Sequence, residues 1–165
     1  GILTVLNKFT GNDTTPDLKK WQDIMLAEST TRDRDVTVGL VAKYMDNEDT
    51  YISVLEALKS AGWHEEVNLA IKWINAETAT DADFDGVDAL LVPGGFGERG
   101  VPGKIAAADY ALRTGKPYLG LCLGLQVAVI AAARRGSLAD AHSTEFAKDT
   151  PSNVVYIMAG QEGKE

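Results

Sequence analysis

Pro117-Tyr-Leu-Gly-Leu-Cys122-Leu-Gly124-Leu-Gln126 is the stretch on which the fold turns. An apolar strand-like run leads into a cysteine set two residues from a glycine on either side, and a second apolar run, Leu123 to Arg135, leads out with helical character. That order is the arrangement of a nucleophile elbow with sulfur in place of a serine hydroxyl. The glycines have a mechanical reason. A nucleophile at the apex of a tight strand-to-helix turn takes a strained backbone, and side chains two positions away would collide with neighbouring elements. The turn also places the thiol at a helix N-terminus, where unpaired amides and the helix dipole favour thiolate. A lone cysteine is otherwise a small hydrophobe. Gln126, one turn on along an apolar helix, faces the same way as the cysteine and reads as substrate-facing.

Working outward, the remaining segments alternate between strand and helix. Val36-Thr-Val-Gly-Leu-Val-Ala42 is near-continuously apolar, as a strand buried on both faces requires. Asp49 to Gly62 places Ile52, Leu55 and Leu58 on one helical face, with Gly62 read as the stop. Further strands fall at Asn68-Leu-Ala-Ile-Lys-Trp-Ile74, Ala89-Leu-Leu-Val-Pro93 and Pro117 to Leu121, and a further helix at about Gly103 to Thr114. The alternation predicts an α/β fold, a three-layer parallel sheet whose ligands sit beyond the carboxyl ends of the strands. Residues 1–35 read as a separate segment. Pro16-Asp-Leu-Lys-Lys-Trp-Gln-Asp-Ile-Met-Leu26 is an amphipathic helix with Thr15 as its cap and Pro16 at its first position, and the boundary falls near Asp35.

The strand ending at Val92 runs into Pro93-Gly-Gly95-Phe-Gly97-Glu-Arg-Gly100. Gly95-x-Gly97-x-x-Gly100 matches the dinucleotide fingerprint only formally, because Val101-Pro-Gly103 is read as separating it from the helix. A rigid turn with amides aimed at a ligand oxygen fits better, and those amides could join the one after Cys122 in an oxyanion hole. The Ser143-Thr-Glu145-Phe cluster would on its own only cap a helix.

Bulk composition narrows the function. Against 16 Lys and Arg stand 24 Asp and Glu, a formal charge of -8, and no basic stripe is present. Nucleic acid and anionic membrane are therefore poor partners. One cysteine forms no internal disulfide, which points to the cytoplasm. His64 and His142 stand in no metal-ligand spacing, so no metal site is expected.

Together these segments resemble the class I (triad) glutaminase domains, and among them those of the CTP synthase family. The resemblance rests on Val41-Ala-Lys-Tyr44, Asp49-Thr-Tyr-Ile-Ser-Val-Leu-Glu-Ala-Leu58, Leu91-Val-Pro-Gly-Gly-Phe-Gly-Glu-Arg-Gly100, Gly103-Lys-Ile-Ala-Ala-Ala108, Leu119 to Ala128 and Ser143-Thr-Glu-Phe146. It implies that residues 1–35 are the tail of a synthetase domain with its interdomain linker helix, and 36–165 the N-terminal portion of the glutaminase domain. It implies a glutamyl thioester on Cys122 and an oxyanion held by the amides of Gly95 and Leu123. Gly95, Phe96, Leu123, Gly124, Leu125, Gln126 and Glu145 would line the L-glutamine pocket, with Glu145 facing the substrate ammonium. Arg99, Gly103 and Lys104 would belong to an effector lid answering to GTP. Ammonia would pass to the synthetase domain, where ATP and Mg act on UTP to give CTP, in a homotetramer.

The sequence departs from that family in places. Pro102 stands where the lid has an acid, Ala42 where a glycine is usual, and His142 where an asparagine precedes Ser-Thr-Glu-Phe. The family's His-x-Glu would come after Glu165, and neither His64 nor His142 matches it, so these 165 residues alone are expected to be inactive. Two alternatives stand beside the glutaminase. One is a DJ-1/PfpI-like cysteine-elbow enzyme, and the other a non-catalytic docking fragment. Gln126 and Glu145 argue for glutamine.

Overall fold

In chain order the elements are α1 (Ile2–Thr10), α2 (Lys19–Ser29), β1 (Asp35–Ala42), a 3-10 turn (Glu48–Tyr51), α3 (Ile52–His64), β2 (Asn68–Asn75), α4 (Asp81–Phe84), β3 (Ala89–Val92), α5 (Val101–Thr114), β4 (Tyr118–Gly120), α6 (Leu123–Gly136), β5 (His142–Ser143) and β6 (Asn153–Val155). This is a computed structural model, and it describes residues 1–12, 15–147, 150–158 and 160. The chain divides into two units, Gly1–Arg32 and Asp33–Glu165.

In the larger unit the strand order is β2-β1-β3-β4, and every pair is parallel. Side chains in a strand alternate between faces, and β1 uses both. Val38, Leu40 and Ala42 join Leu91, Tyr51 and the α3 residues Val54, Leu55 and Leu58 on one side. Val41 joins Ile74, Leu90 and Val92 against α5 and α6 on the other. The three layers are therefore α3, the sheet, and the α5–α6 pair. Each fully buried aliphatic side chain contributes about 1.5–3 kcal/mol of transfer free energy, which is why the apolar runs become the central strands. Lys43 and the loop 93–100 follow directly from the carboxyl ends of β1 and β3, and Cys122 stands two residues past that of β4, where ligands of such sheets sit.

The structure corrects several boundaries. α5 begins at Val101 with Gly100 as its N-cap and Pro102 in its first turn, so Val101-Pro-Gly103 opens the helix instead of separating it from the glycines. Proline suits that position, where the amide it lacks would be unpaired anyway. The fingerprint still fails, because all eight residues 93–100 intervene between strand and helix where a dinucleotide turn is tight. Gly62 does not stop α3, which continues to His64. Its missing side chain instead lets the helix approach Leu69, whose Cβ would stand 3.2 Å from an added methyl.

In the smaller unit α2 starts at Lys19 and not at Pro16. Asp17 Oδ1 accepts the Lys19 amide at 3.0 Å, so an aspartate two residues upstream, and not Thr15, meets the first free donor. The apolar start of the chain forms α1, an element the sequence reading did not assign.

Candidate active site

Cys122 is the N-cap of α6 and has φ 53 and ψ -112, a backbone that L-residues rarely adopt. Holding it there costs about 1–3 kcal/mol, so the surroundings must over-determine the turn. They do so by contact. A methyl on Gly120 would meet the Gly124 carbonyl carbon at 2.4 Å, and one on Gly124 would meet the Val92 carbonyl oxygen at 1.9 Å. β4, α6 and β3 thus close on one another only because both positions are glycine. Tyr118 Oη donates to the Gly124 carbonyl at 2.7 Å, and the Leu121 amide donates to Val92 at 2.9 Å, fixing both sides of the bend. Burial pushes the Tyr118 hydroxyl well above its usual range, so it remains a donor. The thiol is exposed at the apex.

The loop 93–100 lies against this apex. A methyl on Gly94 would stand 3.3 Å from Cys122 Cβ and 3.8 Å from Sγ. Two lysines hold the loop from below. Lys104 is fully buried, and its Nζ donates to the carbonyls of Pro93 and Gly94, both at 2.9 Å. Lys43 is 7% exposed and its Nζ donates to the Phe96 carbonyl. Burial first, and then the Lys43 charge, push the Lys104 ammonium down to about 8, while Cys122 acts in the opposite direction. Gly95 has φ 153, a conformation glycine adopts readily. Among the described residues the amides of Gly95 and Leu123 donate to no protein acceptor. The Leu123 amide is one of the unpaired donors of a helix N-terminus.

A family model for glutamine amidotransferase class-I matches residues 47–163. The chain belongs to the class I glutamine amidotransferases. It is 48% identical over 150 residues to a CTP synthase of Caldanaerobacter subterraneus subsp. tengcongensis, a match covering 88% of this chain and 28% of that protein. Among solved structures it is similar to the glutaminase domain of Trypanosoma brucei CTPS with bound acivicin, at TM-score 0.70 and 40% identity, over 78% of this chain and 52% of that one. The chain therefore spans about a quarter of the length of the curated relative and half of the solved domain.

Within this amidotransferase frame the sequence-derived residues divide. Cys122, Leu123, Gly124, Leu125 and Gln126 share the first turn of α6 and its cap, and Gly95 and Phe96 lie on the loop beside it. Phe96 is 85% exposed and Leu125 60% exposed, whereas Leu123 and Gly124 are buried in the turn itself. Glu145 is exposed in the turn after β5, where its amide donates to the Ser143 hydroxyl at 3.2 Å. Phe146 of the same turn packs on the core shared by α5 and α6.

Arg99 lies on the loop, ion-paired to Glu77 and 5.5 Å over the Tyr44 ring. Gly103 and Lys104, read as lid residues, are instead buried inside α5. A methyl on Gly103 would meet the Ala76 carbonyl oxygen at 2.0 Å, so this glycine seats the helix on the end of β2. Lys43 was absent from the sequence-derived site. Among the described residues neither histidine hydrogen-bonds the thiol. His142 accepts the Ser143 amide at Nδ1 and faces Phe146 edge-on, and His64 ends α3. Among the described residues no cluster of three His, Cys, Asp or Glu could hold a metal ion, and no helix is long and apolar enough to cross a membrane.

Proposed function

We propose that this chain carries the glutamine-hydrolysing machinery of a CTP synthase. One observation carries the reading: a strained, exposed Cys122 at a helix N-terminus, with the Gly94–Gly95 loop packed against it and two free amides beside it. The Cys122 thiolate attacks the side-chain carbonyl carbon of L-glutamine and forms the C–S bond. The carbonyl electrons move onto oxygen, where the Gly95 and Leu123 amides receive them. Collapse of this oxyanion breaks the C–N bond and releases ammonia with a proton from a general acid, leaving a glutamyl thioester. Water then attacks the thioester, giving glutamate and restoring the thiol. Phe96, Gln126 and Glu145 hold the substrate, Glu145 through its carboxylate and the substrate ammonium. The neighbour's bound acivicin, a glutamine analogue, supports this ligand class.

The general acid–base role is assigned to neither His64 nor His142, since neither hydrogen-bonds the thiol. Without it the 165 residues bind and orient glutamine but turn it over poorly. In the complete enzyme the proposal extends to residues 1–35 as the synthetase-side tail and linker, to ATP and Mg activating UTP on that synthetase domain, to GTP as activator through the loop bearing Arg99, and to a cytoplasmic homotetramer. These extensions follow from the likeness to CTP synthases.

The test uses glutamine labelled with nitrogen-15 at the side-chain amide, supplied with ATP, Mg and UTP to the intact polypeptide. Label in the 4-amino group of CTP is the expected result. Labelled ammonia without labelled CTP keeps the glutaminase and rejects the synthase, and no release of label rejects both.

A further inference from the structure

Lys104 is a lysine on an apolar stripe. Along α5 it shares a face with Ala107, Ala108 and Ala111, all buried, and it is itself fully buried. A lysine so placed pays heavily for its charge unless it is satisfied, and the reaction outlined above gives it no chemical step. Its two recorded acceptors are consecutive carbonyls, Pro93 and Gly94, each at 2.9 Å, and a methyl on Gly95 would stand 3.4 Å from its Nζ.

The geometry of the peptide unit gives those bonds a consequence. Among the described residues no peptide bond is cis. In a trans peptide the carbonyl oxygen of one residue and the amide hydrogen of the next point in opposite directions from a rigid plane. When Lys104 draws the Gly94 oxygen toward its ammonium in α5, the Gly95 amide hydrogen points the opposite way, away from that helix. Without the ammonium, the Gly94–Gly95 plane loses what fixes it, because glycine on both sides lets the plane rotate at little cost.

We propose that Lys104 is the positioning residue of the oxyanion hole: it touches no substrate, and by gripping the Pro93 and Gly94 carbonyls it holds the Gly95 amide in the orientation that receives charge beside Cys122. This rests on the glutaminase reading. Oxyanion donors act through preorganisation, and a donor free to swing away loses most of its effect on the transition state while altering ground-state binding little.

The experiment compares two reagents on the intact polypeptide: a chloroketone analogue of glutamine, whose carbonyl occupies the oxyanion hole as it alkylates Cys122, and iodoacetamide, which needs no such hole. In Lys104→Met the saturating rate with the chloroketone should fall about 10-fold or more. The half-saturating concentration should stay within about twofold and the iodoacetamide rate within about threefold. Lys104→Arg, which keeps a buried cation and donors on a longer arm, should lose less on the same scale and serves if the methionine variant fails to fold. A chloroketone rate within about twofold of the unaltered protein in Lys104→Met overturns the proposal, and where only Lys104→Arg folds, a chloroketone rate not reduced at all relative to the iodoacetamide rate overturns it. So does an equal loss with both reagents, which would make Lys104 a general support of the fold. If the unaltered protein shows no saturable labelling that glutamine blocks, the glutaminase reading itself falls, and this proposal with it.

Discussion

The elbow around Cys122 and the loop 93–100 lie against each other, yet opposite means hold them in place. The elbow is fixed by what is missing: glycines at 120 and 124 let β4, α6 and β3 close on one another, and a single methyl at Gly124 would strike the Val92 oxygen at 1.9 Å. The loop is fixed by what is supplied from elsewhere, the ammonium groups of Lys43 at the end of β1 and Lys104 in α5. Steric closure is rigid and does not respond to pH. A clamp of hydrogen bonds from buried cations holds peptide planes in set directions, and part of it titrates. Cys122 thus sits on a support that cannot yield, whereas Gly95, one of its two proposed oxyanion donors, sits on one that can be loosened in steps.

Breaking the elbow should have the largest effect. Gly124→Ala is expected to cost about 3 kcal/mol or more, or to prevent folding, because rigid backbone and not a flexible side chain meets the new methyl. Urea denaturation followed by circular dichroism would measure it. Breaking the loop should be milder. Lys43→Met leaves the Phe96 carbonyl without its donor and should cost about 1–3 kcal/mol in the same assay while the elbow stays formed.

The pH dependence sharpens the contrast. Lys104 is held near 8 in the folded chain against an ordinary 10.5. Below about 8 it carries its proton in both states and the burial penalty is full. Between these values the unfolded chain binds the proton and the folded chain does not, so stability rises with pH, and above the upper value the penalty is gone. Relative to Lys104→Met, the unaltered protein should gain about 1 kcal/mol between pH 8 and pH 9. A difference independent of pH would show that Lys104 titrates normally. The smallest effect belongs to Arg99→Ala. Its ion pair with Glu77 is half exposed, so the change should cost under about 1 kcal/mol and shrink further in high salt.

The same contrast explains what could be read from the sequence. The four parallel strands are marked by apolar runs, and the elbow by glycines two residues either side of a cysteine at a strand-to-helix junction. Both are local patterns. The clamp joins residues far apart in the chain, and its signals were easy to misread. Pro102 looks like an interruption although proline opens helices well. Lys104 sits three, four and seven residues before Ala107, Ala108 and Ala111, so a periodicity reading would have set it on the buried face of α5, whereas the family pattern drew it into a lid. Nothing local marks Lys43, which takes its role from a loop more than fifty residues away. The short strands β5 and β6 also went unread, since two or three residues show no period.

The central claim is that Cys122 is a nucleophile built to meet the side-chain amide of glutamine. Incubating the intact polypeptide with a glutamine-mimicking electrophile and mapping the adduct by mass spectrometry tests it most directly. The account predicts one adduct, on Cys122, that excess L-glutamine suppresses; an adduct on Cys122 that forms equally fast with and without glutamine, or no adduct there, would contradict it.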